Sequence, residues 1–407
     1  MKVVHLSYKD TEEGAAIAVE RLCKALINEN IDSKMLVQSK VSDYQFVHTI
    51  VHSKFEKIKA MFRIGCDQIA NILLSKNKND HYTLFLFGSN LYKNKLIKEA
   101  DIIHLHWINR GYVSLKTLKW LSKYNKPVIW TLHDSWVFTG GCHMTETCEK
   151  YKTGCEYCDQ MKLKKLSKRN VIKKKKVFDK LNLNIVAPSI WMKDRAMNSL
   201  LLREKNIKVI PNCIDTTIFK PIDKKLVRDI LNLPKDKKIL LFFMSKNKRK
   251  GNSFIDIALS RLDNIYDYEI ISFGSSFVYQ DIFNDKMIKC FGKVNDGYML
   301  SLLYNAADVY ISPALEEPFG QTYIEAMACG TPCVGFDFSG PKDIIDHKES
   351  GYLAKYMNEE DLALGIKFCI DNYIALSKNS VKKVNREFSY EVVARRHLDF
   401  YNEVIHG

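Results

Sequence analysis

Short runs of apolar and β-branched residues recur along the chain with helix-patterned stretches between them, and this alternation constrains the fold more than any other feature. In the first half the runs are Lys2 to Ser7, Ser33 to Val37, Asp101 to His106 (DIIHLH), Pro127 to Leu132 (PVIWTL) and Asn184 to Ser189 (NIVAPS). The stretch Gly14 to Glu29 has helical patterning, so the chain opens as a β-α-β unit. In the second half the runs are KILLFFM (238–244), YEIISF (268–273), MIKCF (287–291), DVYIS (308–312) and PCVGF (332–336). Strands that are apolar nearly throughout cannot turn one face to water. Separated by helices, they call for parallel sheets covered on both faces.

The pattern changes around VIPNCID (209–215), where Pro211 and Pro221 bracket a loop that suits an interdomain connection. A chain of 407 residues exceeds what one hydrophobic core usually serves, and 46% hydrophobic residues suffice for two cores. The expected division is an N-terminal domain over residues 1–206, a C-terminal domain over 207–385, and a terminal helix within 386–407 that packs back toward the N-terminal domain. Val393, Ala394, Leu398, Tyr401 and Val404 stand at helical spacing in that last segment.

No stretch approaches the roughly 18 uncharged apolar residues of a spanning helix, and the start MKVVHLSYKD lacks a signal peptide's apolar core. The expectation is a cytoplasmic protein. A net charge of +15 implies an anionic partner: nucleic acid, an acidic membrane surface or a phosphorylated substrate. Nine of the fifteen residues from Lys162 to Lys176 are Lys or Arg, interleaved with Leu163, Leu166, Val171 and Ile172. That segment reads as a basic amphipathic surface for anionic lipid headgroups or as a solvated helix. It holds no aromatic residue for base stacking, so nucleic acid is not expected as the partner.

The segment richest in chemistry is PALEEPFGQTYIEAMACGTP (313–332). On one continuous helix, Glu317 and Glu325 would lie about 80° apart around the axis. Pro318 and Gly320 break such a helix, which puts Glu317 in a loop and Glu325 about one turn into the helix that follows. The backbone N–H groups of Phe319, Gly320 and Gln321 then form an anion or hydroxyl cradle at a helix N-terminus, suited to a sugar diphosphate. Glu325 can accept from two neighbouring ribose hydroxyls, which leaves Glu317 to face the sugar. Ala326, Ala328 and Gly330 let that helix pack closely on a sheet.

This segment resembles glycosyltransferase family 4, of the two-domain GT-B fold, whose hallmark is Glu-x7-Glu within E-P-F-G-x-x-x-x-E-A-M-A-x-G-x-P. The resemblance implies two facing Rossmann-like α/β domains with parallel sheets and a cleft between them. It further implies that Glu317 contacts the transferred sugar, that Glu325 holds the ribose, and that no catalytic metal takes part. In MSKNKRKG (244–251), Lys250-Gly251 resembles the family's Lys-Gly pair for the donor phosphates; position 244, where relatives often carry Arg, is Met, and Lys246 or Arg249 can substitute. A lysine placed there meets the charge that develops on a leaving diphosphate. Gly292 and Lys293 follow the MIKCF run, in the turn from which members of the resembled family usually contact the base. Gly14 resembles the glycine-rich loop near the donor phosphate. His133, at the end of PVIWTL, matches a family histidine at the junction of acceptor and sugar and could donate to a sugar hydroxyl or phosphate oxygen; His104 and His106 rank below it.

The string TLHDSWVFTGGCHMTETCEKYKTGCEYCDQ (131–160) is similar to bacterial colanic-acid-type, O-antigen and other lipopolysaccharide or exopolysaccharide glycosyltransferases with a four-cysteine loop. Cys142, Cys148, Cys155 and Cys158 follow C-x5-C-x6-C-x2-C, which suits a structural zinc site, reduced thiols or redox pairing. The other seven cysteines read as buried small hydrophobes. The expected activity is retaining transfer of a hexosyl-type sugar from a nucleotide sugar to a saccharide hydroxyl, the acceptor carried on a polyprenyl diphosphate at the inner face of the cytoplasmic membrane. Two rivals stand beside it: a sugar-nucleotide epimerase of the same fold, and a basic nucleic-acid- or membrane-binding protein.

Overall fold

Strand β1 (Lys2–Lys9) is buried over six consecutive residues, as a strand must be when helices cover both faces of its sheet. It belongs to a computed structural model that describes residues 1–76, 82–264, 267–275 and 288–407. β1 pairs in parallel with β2 (Asp32–Ser39) and with β4 (Ile102–Leu105). With β3 (Val47–Thr49), β5 (Pro127–Thr131), β6 (Asn182–Ala187) and β7 (Asn206–Val209), they form a seven-stranded sheet of order β3-β2-β1-β4-β5-β6-β7. The second sheet comprises β8 (Lys238–Met244), β9 (Tyr268–Gly274), β10 (Ile288–Cys290), β11 (Val309–Ile311), β12 (Cys333–Phe336) and β13 (Gly351–Ala354), in the order β10-β9-β8-β11-β12-β13. All the recorded pairings in both sheets are parallel.

Each sheet reverses its winding once, between β1 and β4 and between β8 and β11. In open α/β sheets, ligands bind beyond the carboxyl ends of the strands at that reversal.

The chain divides into two compact units, Met1–Pro211 with Val393–Gly407, and Asn212–Val392. A boundary at residue 206 is therefore corrected: β7 pairs with β6 from Asn206 to Val209, so the first unit runs on to Pro211. The terminal helix starts at Tyr390, and its Tyr401 hydroxyl lies 2.8 Å from His104 Nδ1 within the first unit.

The basic segment presents a surface over much of its length, with Lys162, Lys164, Lys165, Arg169, Lys173 and Lys176 exposed beside Leu163 and Ile172. It forms the helix Leu166–Phe178, but Val171 is a core residue and Lys174 is fully buried, its ammonium donating to Thr139 O at 3.0 Å and lying over the Trp136 ring. Burial pushes the Lys174 ammonium down to about 7. A longer exposed apolar face lies on the helix Lys54–Leu74, whose Phe55, Ile58, Phe62, Ile69, Ile72 and Leu73 are all exposed, Phe62 by 71%. Ser53 and Glu56 close its N-terminus in a reciprocal capping box. Of the seven scattered cysteines, Cys66 and Cys290 are half-exposed and the other five are buried.

A buried charge cluster fixes the edge of the second core. Asp308, immediately before β11, accepts from Arg228 Nη2 at 2.7 Å, from the Ile239 N–H at 2.7 Å and from Lys224 Nζ at 2.8 Å. Burial by itself would raise this carboxyl, but Lys224, the Ile239 amide and Arg228 outweigh it and hold its pKa below the ordinary range. A depressed folded-state pKa means that this stabilisation is present above the unfolded value of about 4 and is lost as pH falls through the folded one. Asp308→Ala is expected to cost about 3 kcal/mol in urea denaturation at neutral pH, because it strands Arg228 in the interior. The gap to the parent chain should narrow as the pH is taken below about 4; equal midpoints at neutral pH would refute the assignment.

Candidate functional site

The loop after β8 and the segment after β11 meet at the second sheet's reversal. In the first loop, Asn247 Oδ1 accepts the Arg249 N–H at 3.0 Å, and Gly251 adopts φ +71°. A Cβ on Gly251 would stand 1.9 Å from Pro313 O, so only glycine permits so close an approach. The Leu315 N–H then donates to Arg249 O at 2.8 Å.

This docking delivers two cations to one carboxylate. Lys250 Nζ lies 2.6 Å and Arg249 Nη1 3.4 Å from Glu317 Oε2, and Arg249 also donates to Glu316 O. The three side chains are each half-buried. Burial pushes the Glu317 carboxyl up, and Lys250 and Arg249 together more than reverse that, so it is held ionised below the usual range. Its backbone is clamped from a third segment: the Glu317 N–H donates to Ser339 Oγ at 3.1 Å, and the Gly340 N–H donates to Glu317 O at 2.9 Å. Sequence reasoning missed Ser339 and Gly340; the Ser-Gly-Pro turn after the PCVGF run was the available signal.

Glu317 sits in a loop and Glu325 in the second turn of the helix Gln321–Ala328, the local arrangement that Pro318 and Gly320 imply. Gly320 is the N-cap with φ +111°, Phe319 is buried against the core, and Gln321 opens the helix. Glu325 is buried and accepts from the Tyr304 hydroxyl at 3.0 Å. Other expected residues stand apart from this group. Lys246 is exposed on the β8 loop. Gly292, with φ +67°, and Lys293 follow the edge strand β10, two strands or roughly 10 Å from β8.

In the first unit, Gly14 opens the helix Gly14–Asn28 beyond the end of β1, in an exposed position. His133 follows β5 and is half-buried, with Nε2 3.0 Å from His106 Nδ1. Burial lowers its imidazolium to about 4, against the opposing pull of Asp134. Asp134 anchors the turn: Trp107 Nε1–H donates to it at 3.0 Å and the Trp136 N–H at 2.9 Å, and His143 Nδ1 lies at 2.6 Å. His106 continues to His5 of β1, its Nε2 lying 3.0 Å from His5 Nδ1. His5 escaped the sequence reading because it lies inside an otherwise apolar run; its register opposite His104 across β1 and β4 places them together.

The four loop cysteines share one neighbourhood without forming a ligand set. Cys155 and Cys158 are buried, Cys142 is half-buried and Cys148 exposed, and all are free thiols. Burial raises the Cys142 thiol and pushes that of Cys155 up to about 11. Among the described residues, the group whose ligand atoms all lie within 4.8 Å of one another is His5, His104 and His106. The cysteines as placed do not fit a tetrahedral zinc site, which gathers all four sulfurs around one ion.

Comparison with known proteins bears on both units. The family described as Glycosyltransferase Family 4 matches residues 13–218, and Glycosyl transferases group 1 matches residues 223–387. An uncharacterized glycosyltransferase of Methanocaldococcus jannaschii is 26% identical over 53% of this chain and 59% of its own length. A probable sucrose-phosphate synthase of Thermosipho melanesiensis matches over 46% of its length, so the chain spans about half the length of these curated relatives. The putative colanic acid biosynthesis glycosyl transferase WcaC of Escherichia coli is 23% identical over 89% of this chain and 88% of its own. Among solved structures, sucrose-phosphate synthase from Thermosynechococcus elongatus superposes with TM-score 0.67 at 18% identity, covering 99% of both chains. Anabaena HepE in complex with UDP and glucose gives TM-score 0.65 at 17% identity, covering 98% of this chain and 99% of that one. With a reversal-point carboxylate held by two cations and both units matched, the chain belongs to glycosyltransferase family 4 and has the GT-B fold.

Proposed function

We propose that this protein is a retaining glycosyltransferase that moves a sugar from a nucleotide-sugar donor to a hydroxyl of a lipid-linked saccharide in bacterial surface polysaccharide synthesis. The observation that carries the reading is the Glu317 carboxylate paired with Lys250 and Arg249 at the reversal point of the second sheet. Two cations grouped at one anion are equally suited to a diphosphate, and their charge stabilises the diphosphate as it leaves. Glu317, held ionised, is then the acceptor for sugar hydroxyls, and Glu325 in the adjoining helix is the acceptor for the ribose. Arg249 fills the part of the second cation that relatives take from the position of Met244. In the retaining reaction the departing diphosphate helps deprotonate the incoming hydroxyl on the same face of the sugar, so no protein nucleophile is required. Binding of UDP and glucose by the structurally similar HepE supports a nucleotide-sugar donor.

The acceptor's lipid places the protein at a membrane, and the exposed face of the helix Lys54–Leu74 supports that placement. An apolar stripe of Phe55, Ile58, Phe62 and Ile69 flanked by Lys54, Lys57 and Lys59 is the pattern of a helix lying in an anionic interface.

Glu325→Ala is expected to raise the donor KM about tenfold, the worth of a lost charge-assisted hydrogen bond. Glu317→Ala should instead lower kcat about a hundredfold. Steady-state kinetics that are unchanged in both variants would sink the site. Incubation with labelled donors and membrane lipid extract should carry label into the lipid phase; an isomerised soluble sugar would mark an epimerase instead. Phe62→Glu should weaken sedimentation with phosphatidylglycerol vesicles about tenfold at unchanged thermal stability, since it puts a charge on the apolar face. Vesicle binding equal to that of the parent chain would remove the membrane proposal for this helix.

A further inference from the structure

Three imidazoles of the first unit form one hydrogen-bonded row. His133 Nε2 meets His106 Nδ1 at 3.0 Å, and His106 Nε2 meets His5 Nδ1 at 3.0 Å. At its inner end, His5 Nε2 is buried with no hydrogen-bond partner among the described residues. At the outer end, His133 is half-buried, and its Nδ1 is not among the buried atoms without a partner.

A neutral imidazole carries one N–H, and each N···N contact holds one proton, so the tautomer of any one ring dictates the other two. Burial keeps the row neutral: His5 is lowered to about 3, with His397 adding to the effect, and His106 is lowered well below its ordinary value by burial and the surrounding His104, His5, His133 and His397. Two arrangements remain. With every proton on Nε2, the row ends in a buried His5 N–H that has no acceptor. With every proton on Nδ1, it ends in a buried His5 lone pair, and His133 presents an N–H outward. Orphaned buried N–H donors are rarer than under-satisfied acceptors, which selects the second arrangement. We propose that His5 and His106 are positioning residues that lock His133 in its Nδ1–H tautomer, making it a fixed hydrogen-bond donor to a sugar hydroxyl or phosphate oxygen and not a base for the acceptor hydroxyl.

The same cluster is not read as a metal site. His104 has both nitrogens engaged, with Tyr401 Oη at 2.8 Å and Thr131 Oγ1 at 2.8 Å, and the His5 to His106 separation is that of an N–H···N bond. A metal ion would need lone pairs from all three rings at once.

The consequence for catalysis rests on the proposed transferase reading, whereas the tautomer itself does not. Long-range proton–nitrogen correlation spectra of the 15N-histidine-labelled full chain are expected to show His133 protonated on Nδ1 and bare on Nε2. His106→Leu should release His133 into a mixture of tautomers and lower kcat about tenfold, with the donor KM changed by less than about twofold. His106→Asn, whose amide N–H takes the place of the imidazole Nδ1–H, should restore both the single tautomer and most of the rate. A proton on Nε2 of His133, a His133 tautomer unmoved in a folded His106→Leu, or stoichiometric zinc in the purified protein that is lost in His106→Leu would each overturn the inference. If the spectra are as expected but the parent chain transfers no sugar, the functional reading fails and the tautomer lock stands.

Discussion

All paired strands in both sheets run the same way, and the rest of the structure depends on that constraint. A parallel strand cannot hairpin into its neighbour, so among the described residues most connections return through a helix, β2 and β3 being joined by a loop, and the strands' carboxyl ends are left on one edge. Where the order of winding reverses, two adjacent strands send their loops apart and leave space between them. The reversal between β8 and β11 sets the loops of Arg249 to Gly251 and of Pro313 to Glu317 side by side. The reversal between β1 and β4 likewise sets His5 beside His104 and His106.

Close backbone approach turns this adjacency into chemistry. Gly251 against Pro313 brings the β8 loop near enough for Lys250 and Arg249 to meet Glu317, and Ser339 and Gly340 hold the Glu317 backbone from the other side. Glu317 is thus held by two other segments, its carboxylate by the loop after β8 and its backbone by the turn after β12. Such preorganisation lets fixed charges act on a substrate without first being rearranged. In the first unit the same economy is achieved with neutral groups, since in a row of three neutral imidazoles the two bridging protons settle which atom His133 offers.

The strands legible in the sequence were those marked by an apolar run, which strands buried on both faces must have and which the edge strand β10 also carries. β3, β7 and β13 went unread for the complementary reason. They are three or four residues long and lie at sheet edges or outer positions, and β3 and β7 leave part of each face to solvent, so no apolar run marks them. The helix Lys54–Leu74 shows the converse limit. Its apolar residues follow helical spacing, but spacing does not say whether a stripe faces a core or faces outward, and here most of it faces outward. In the helix Leu166–Phe178 one member of the charge run departs from the surface reading, since the fold buries Lys174.

The sequence by itself determined what is local: the alternation of strands and helices, the break at Pro318 and Gly320, and the entry of Glu325 into the helix after that break. These follow from steric and hydrogen-bonding rules that act over a few residues. Only the tertiary structure decided which groups meet across long separations. Lys250 lies 67 residues from Glu317, and His5 lies 101 residues from His106. Nothing in the chain between those residues encodes the contacts, because they arise from strand order and from which loops the reversal of winding leaves adjacent.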